Sequence, residues 1–160
     1  MKFTKMQGLG NDYVYINCFS ERVEKPEELA VRIADRHFGV GGDGLILICP
    51  SEIAPVRMRM FNADGSEGKM CGNGARCVAR YAYDHGLVTS RSFDIETGAG
   101  IRHAEVGESL VTIDMGEAVL DGELVEPITV DGIETSMTPV NVGNPHAVYL
   151  VDSLETLKRL

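Results

Sequence analysis

Basic residues are scarce in this chain: 15 Lys and Arg stand against 24 Asp and Glu, for a net charge of −9. That balance argues against nucleic acid and disfavours anionic membranes as partners, because no surplus of cations exists to displace counterions from phosphates. Long apolar runs are missing too. No segment approaches the ~20 apolar residues of a membrane span, and the opening MKFTKMQGLGND lacks the apolar core and small-residue cleavage site of a signal peptide. The expected compartment is therefore the cytosol, where Cys18, Cys49, Cys71 and Cys77 are reduced thiols rather than bridges. Cys18 and Cys49 close the apolar runs YVYINC and LILIC and read as small core residues.

Absent motifs narrow the chemistry further. There is no GxSxG elbow, and no Ser/His/Asp grouping can be placed from the sequence. A zinc site needs ligands in close pairs, whereas Cys71 and Cys77 stand a helical stretch apart and His37, His85, His103 and His146 are scattered. GVGGDG at Gly39–Gly44 fits the dinucleotide pattern, but a helix precedes it and a strand follows, the reverse of what pyrophosphate binding needs. Asn62, Asp64 and Ser66 begin like a calcium loop, yet Glu67 and Asn73 occupy the positions that require Gly and Glu. No metal or cofactor is expected. Linkers, repeats and low-complexity segments are lacking as well.

What is present is a globular composition, 44% hydrophobic and 24% charged over 160 residues, enough for one full core or one and a half small ones. β-branched and aromatic residues predict strands near 2–7 and 13–18. A helix is expected over 26–38, with Pro26 at its start, Glu27 and Glu28 facing the positive dipole end, and Gly39 as its stop. Strands at 45–49 and 56–61 precede a second helix over 73–84, stopped by Gly86. The remainder reads as strands (SFDIET, IRHAEV, SLVTIDM, LVEPITV, IETSMTPVNV and AVYLVD), with an Asp131-Gly132 turn between two of them. Many short strands with two helices predict an α+β fold with a curled, mostly antiparallel sheet. A domain border is expected at 115–122. Asp152 and Glu155 open a helix, SLETLKRL, that breaks off after two turns, so the sequence reads as cut there.

The densest chemistry lies in NADGSEGKMCGNGARC, residues 62–77. Cys71 falls just before the second helix, where unpaired N–H groups and the positive dipole end favour a thiolate. Gly72, Asn73 and Gly74 let those amides approach an anion such as a carboxylate. On the residues alone, a reactive thiol and a small residue buried in a Gly-rich turn are equally good readings of Cys71. Cys77, inside the helix, reads as core.

The stretch FNADGSEGKMCGNGARC, together with KMQGLGNDY, GVGGDGLI and the GNPH at 143–146, resembles the diaminopimelate epimerase family along the whole chain. The resemblance implies a sheet wrapped around a central helix in each of two similar halves, with the site in the cleft between them. Residues 1–116 would be the first domain, carrying Cys71, and 117–160 the beginning of the second. The implied reaction inverts the α-carbon of diaminopimelate between its LL and meso forms, towards lysine and peptidoglycan, without pyridoxal phosphate or metal. Two cysteines flank the substrate, one removing the α-proton as thiolate and the other protonating the opposite face. Cys71 would be one of the pair. Gly72 and Asn73 would offer amides to the α-carboxylate, Asn11, Asn62 and Asn144 would hold substrate, and His146 would set thiol protonation.

Two departures accompany the likeness. Gly44 stands where some members carry a substrate-contacting Gln, and the second cysteine, in an ACGTG-like motif preceded by Glu-Arg, is absent from these residues. The chain alone is therefore expected not to epimerise, and exposed apolar edges predict association with a second copy or with the complementary half. Two alternatives are a non-catalytic fragment or subunit that binds ligand or a complementary chain, and a proline racemase-like isomerase on the same scaffold.

Overall fold

The structure is a computed structural model that describes residues 1–143, 145–151, 153 and 155. Two compact units divide the chain, Met1–Met115 and a second from Gly116 onwards. The first begins with β1 (Thr4–Gly8), β2 (Asn11–Asn17), α1 (Pro26–Ala34), β3 (Gly44–Cys49), β4 (Val56–Asn62) and β5 (Glu67–Gly68). It continues through α2 (Gly72–Asp84), β6 (Ser92–Thr97), β7 (Gly100–Val106) and β8 (Val111–Ile113). The strands form one sheet in the order β1-β2-β3-β4-β6-β7-β8, with β5 added beside β4.

Two neighbouring pairs, β2–β3 and β4–β6, are parallel, and the other pairs of this sheet are antiparallel. Parallel neighbours need a crossover, and each helix supplies one: α1 joins β2 to β3, and α2 lies between β4 and β6. This explains the unbroken apolar run of β3, which is buried on both faces. Ile46 and Ile48 join Ala75, Val78 and Ala79 of α2 in the main core, while Leu45 and Leu47 join Val14, Ile16, Phe61 and Ala30 of α1 in a smaller one.

Helix α2 touches the outer strands β1 and β8 as well as β2, β4 and β7. A sheet whose two edges reach the same helix has to curl, as the strand count predicts. Small side chains suit the hollow: Ala75, Cys77, Val78, Ala79 and Ala82 are all buried. Gly74 suits the close approach, because a Cβ there would lie 2.6 Å from Ile46 Cδ1, which would have to move aside. The helix ends as expected at Gly86 (φ 70°), with Gly86 N–H donating to Tyr83 O and Leu87 N–H to Ala82 O.

Helix α1 corrects its sequence reading. It stops at Ala34 rather than at residue 38, because the Asp35 carboxylate accepts from His37 N at 2.7 Å and Phe38 N at 2.8 Å and turns the chain. Val40 and Gly41 N–H then fold back onto Ile33 O. Gly39 serves this closure and not the last turn itself: a Cβ there would meet Arg32 O at 2.3 Å. β5 has no counterpart among the strands expected from sequence, and β1 and β2 run longer towards each other than expected, joined by a two-residue turn. Its central residues Leu9 (φ 55°) and Gly10 (φ 85°) are both left-handed, as a tight hairpin requires.

The second unit holds β9 (Val119–Leu120), missed by the sequence reading, with β10 (Glu126–Val130), β11 (Ile133–Asn141) and β12 (Pro145–Val148). These pair antiparallel in the order β10-β11-β12, with β9 also on β11. Asp131 (φ 49°) and Gly132 (φ 83°) make the expected hairpin turn. None of the described residues of this unit is fully buried. The helix expected from Ser153 falls mostly outside the described residues. Among those described, no helix is long and apolar enough to cross a membrane.

Candidate active site

The first turn of α2 is built around Cys71. Cys71 is the N-cap residue, with extended backbone (φ −142°, ψ 111°), and its carbonyl accepts the first helical bond from Ala75 N at 2.8 Å. Its Sγ accepts from Gly74 N at 3.3 Å, a cap made by sulfur where oxygen is usual. The amides of Gly72 and Asn73, the two residues between, have no acceptor among the described residues. A helix start leaves such donors open, and the dipole makes their end positive. Helix α1 offsets its own positive end with Glu27 and Glu28, but α2 has no acidic residue in its first turn. Two open amides, an uncompensated dipole and a thiol therefore occupy one spot, which is the arrangement that seats a carboxylate.

Asn11, at the start of β2, completes this cluster. Its Nδ2 donates to Asp43 Oδ2 at 2.6 Å, which turns Oδ1 towards α2. Cys71 Sγ lies 3.3 Å from that Oδ1, and Asn73 Nδ2 lies 3.5 Å from it. The sulfur thus has a partner in either protonation state: as a thiol it donates to Asn11, and as a thiolate it accepts from Gly74. Arg76 holds the Asn73 side chain from the next turn of the helix. Gly8 lets β1 come this close, since a Cβ there would stand 3.2 Å from Asn73 O.

Behind Asn11 stands a charged brace that the sequence reading missed. Asp43 also accepts from Asp12 N at 3.0 Å and from Arg36 Nη2 at 3.0 Å, while Asp12 pairs with Arg36 at 2.8 Å and Lys5 at 3.0 Å. The hydrogen bond from Arg36, then that from Lys5, holds the Asp12 carboxyl down to about 2. Because the folded value is depressed, the brace stabilises the fold above the ordinary carboxylate range and is lost as pH falls through about 2. We expect acid titration of the chain from pH 4 to 2 to remove ~1–2 kcal/mol that the Asp12→Asn variant never had, allowing for the half-exposed Arg36. Thermal unfolding of both forms across that range checks this.

Tyr13, also missed, lies on the same face of β2 as Asn11 and is 5% exposed. Burial, and next the charge of Cys71, pushes the Tyr13 phenol up, so a neutral hydroxyl borders the thiol. Alternation along β2 puts Asn11, Tyr13 and Tyr15 on one face, a signal the sequence carries. The Asn11–Asp43 contact depends on the parallel β2–β3 register, which it does not.

The other residues singled out from sequence fall differently. Gly72 and Asn73 sit in the cluster as described. Asn62 ends β4 and reaches the same end of the sheet through the register Tyr13↔Gly44↔Asn62, but its Nδ2 donates to Ser66 Oγ at 2.9 Å, a turn role. His146 belongs to the second unit, exposed on β12 opposite Val140. Asn144 lies outside the described residues. Gly44 is sterically fixed on this backbone: a Cβ would stand 2.0 Å from Phe61 O, so a Gln there would need a different β3–β4 pairing. Cys77 is buried, and that burial pushes its thiol up, as befits a core residue.

One grouping that sequence could not place does form. Ser92 Oγ lies 2.9 Å from His103 Nε2, and His103 Nδ1 lies 2.8 Å from Asp94 Oδ1, across the β6–β7 hairpin. The His103 and Asp94 side chains are 43% and 51% exposed, so water screens the pair. It is a solvated cross-strand network. Among the described residues, no group of three or more His, Cys, Asp and Glu is placed to hold a metal ion.

Comparison with known proteins decides the family. Residues 3–120 match the family described as diaminopimelate epimerase. The chain belongs to the diaminopimelate epimerase family. It is 49% identical over 171 residues to a diaminopimelate epimerase from Acetivibrio thermocellus, covering 97% of this chain and 61% of that one. A second, from Geobacillus thermodenitrificans, is 52% identical over 174 residues, covering 96% of this chain and 59% of that one. The chain thus spans about 60% of the length of these diaminopimelate epimerases. Among solved structures it is similar to a hydroxyproline epimerase from Agrobacterium vitis, with TM-score 0.66 and 15% identity over 91% of this chain and 50% of that one. A methylitaconate Δ-isomerase gives TM-score 0.59 and 17% identity over 89% and 51%. At such identity these two show the fold alone.

Proposed function

We propose that these residues form the Cys71-bearing part of a diaminopimelate epimerase, which interconverts LL- and meso-diaminopimelate by two-thiol proton transfer. The observation that carries this reading is the first turn of α2, where the Cys71 thiol and the open Gly72 and Asn73 amides adjoin. Removing an α-proton from an amino acid places charge on its carboxylate, so donors aimed at that carboxylate stabilise the transition state more than the ground state. Asn11 and Gly74 give the sulfur a partner before and after it takes the proton. Asn62 and Asn144 are proposed to hold the substrate, and His146 to set thiol protonation from the second domain, which begins near residue 117.

Inversion needs a second thiol on the opposite face, and the other cysteines here cannot provide it. Cys77 is buried within α2, and Cys18 and Cys49 lie at the far end of β2 and β3. The test is to join residues 1–160 to the C-terminal portion of the Acetivibrio thermocellus relative and assay both epimers alongside proline. We expect interconversion of LL- and meso-diaminopimelate by the joined chain, none by residues 1–160 alone, and no racemisation of proline. Turnover by the 160 residues alone, or of proline in preference, would overturn the proposal.

A further inference from the structure

At the end of the sheet opposite Asn11, two thiols and a cation stand in one row. Cys18 N donates to Ile48 O at 2.8 Å, which extends the parallel β2–β3 ladder by one step beyond Asn17↔Ile48 and sets Cys18 opposite Cys49. Across β3, Cys49 is paired with Arg57 of β4. The row Cys18–Cys49–Arg57 therefore lies on one face of three adjacent strands. It is the α1 face: both cysteines pack at the rim of the core formed by Val14, Ile16, Leu45, Leu47 and Ala30. Neither is buried, and both are free thiols.

We propose that Cys18 and Cys49 form a reversible, peroxide-responsive disulfide. Neighbouring strands run ~4.8 Å apart, inside the Cα separation of ~4.4–6.8 Å that a disulfide spans, and opposed residues on one face aim their Cβ atoms the same way. Roles within the pair follow from the neighbours. The neighbouring Cys18 thiol, and after it the Arg59 and Arg57 guanidiniums, favour the Cys49 thiolate against burial; the proximity of Cys49, then burial, holds the proton on Cys18. Glu67, paired with Arg59, and Glu96, paired with Arg57, are the nearby anions on β5 and β6, and Glu21 follows Cys18. Thiolate character with partial exposure is what selects a cysteine for oxidation.

The chemistry balances with hydrogen peroxide as oxidant. The Cys49 thiolate attacks one peroxide oxygen, the O–O bond breaks, and hydroxide leaves, giving a sulfenic acid. Cys18 sulfur then attacks the Cys49 sulfur; the S–S bond forms, and the Cys18 proton leaves with the displaced hydroxyl as water. A dithiol reverses the step by exchange. The bridge would close residues 19–48, α1 included, into a covalent loop. It would lie just past the end of β2 opposite Asn11, so it would leave the first turn of α2 in place.

The decisive experiment treats the intact chain with hydrogen peroxide, caps residual thiols with N-ethylmaleimide, and maps the digest by mass spectrometry. We expect a Cys18–Cys49 linked peptide, lighter than its two parts by two hydrogens, released by dithiothreitol, in a chain whose thermal midpoint has risen. In the Cys18→Ser variant, Cys49 lacks its resolving partner, so dimedone should trap its sulfenic acid at least about tenfold faster than Cys77 reacts. Two results would overturn the proposal. One is a native wild-type chain in which Cys18 and Cys49 both carry maleimide after peroxide has oxidised Cys71; the other is a Cys49 in Cys18→Ser as inert as Cys77.

Discussion

Replacing Cys71 by alanine in the joined enzyme is expected to abolish inversion, lowering kcat by about 10²–10⁴-fold, the range a positioned acid or base contributes. The loss has a stereochemical signature. A thiol on one face can lend and retrieve a proton only on that face, so the remaining thiol should still exchange solvent deuterium into one epimer while inversion stops. Cys71→Ser tests whether position alone suffices: its hydroxyl can keep the contacts to Asn11 Oδ1 and Gly74 N, yet it is not acidic enough to serve as the base. We expect Cys71→Ser to retain the fold and most of the substrate affinity while losing activity nearly as far as alanine. Deuterium incorporation into separated LL and meso forms, followed by mass spectrometry, reads both variants. Equal incorporation into both epimers by Cys71→Ala would remove Cys71 from the reaction.

Much of the site was legible because its parts are local. The cap position of Cys71, the open amides after it and the helix that follows all lie within a few residues, where glycine spacing and dipole arguments apply. Asn11 was legible only through the family likeness; on its own an Asn in GLGND is a turn residue. Its orientation, and with it the reason Oδ1 faces the sulfur, comes from Asp43, thirty-two positions away and joined through a parallel ladder whose register no local pattern fixes. The two thiols of YVYINC and LILIC show the same limit. Each run was recognisable as a strand, and each cysteine as a small core residue, but their half-exposed place at the core rim and their pairing required knowing that β2 and β3 are adjacent, parallel and in step. The early stop of α1 failed for another reason. Gly39 is the first residue after Pro26 with a helix-stop signature, but the Asp35 side chain ends the helix earlier by taking two backbone amides.

The amides of α2 permit a sharper test than side-chain removal, because one N–H can be deleted without touching the thiol. Gly72 is the first residue of α2, the position where proline is best tolerated, since its missing N–H has no helical partner there. Cys71, which would precede the proline, already has φ −142° and ψ 111°, close to the extended backbone that a pre-proline residue prefers. A Cβ at Gly72 would meet Met115 Sδ at 3.4 Å, an ordinary contact. Gly72→Pro should therefore fold, and by restricting the unfolded chain it should match or exceed the parent in stability by up to ~1 kcal/mol. In the joined enzyme the same change removes one of two donors from the proposed carboxylate seat, and we expect kcat to fall by about 10²–10³-fold, the loss typical of one such donor. Gly72→Ala adds a Cβ but keeps the N–H, so it should change kcat little. The split between the two variants separates a donor from a mere tight turn: if Pro and Ala behave alike in kcat while both unfold at the parent temperature, the Gly72 amide is not what holds the carboxylate.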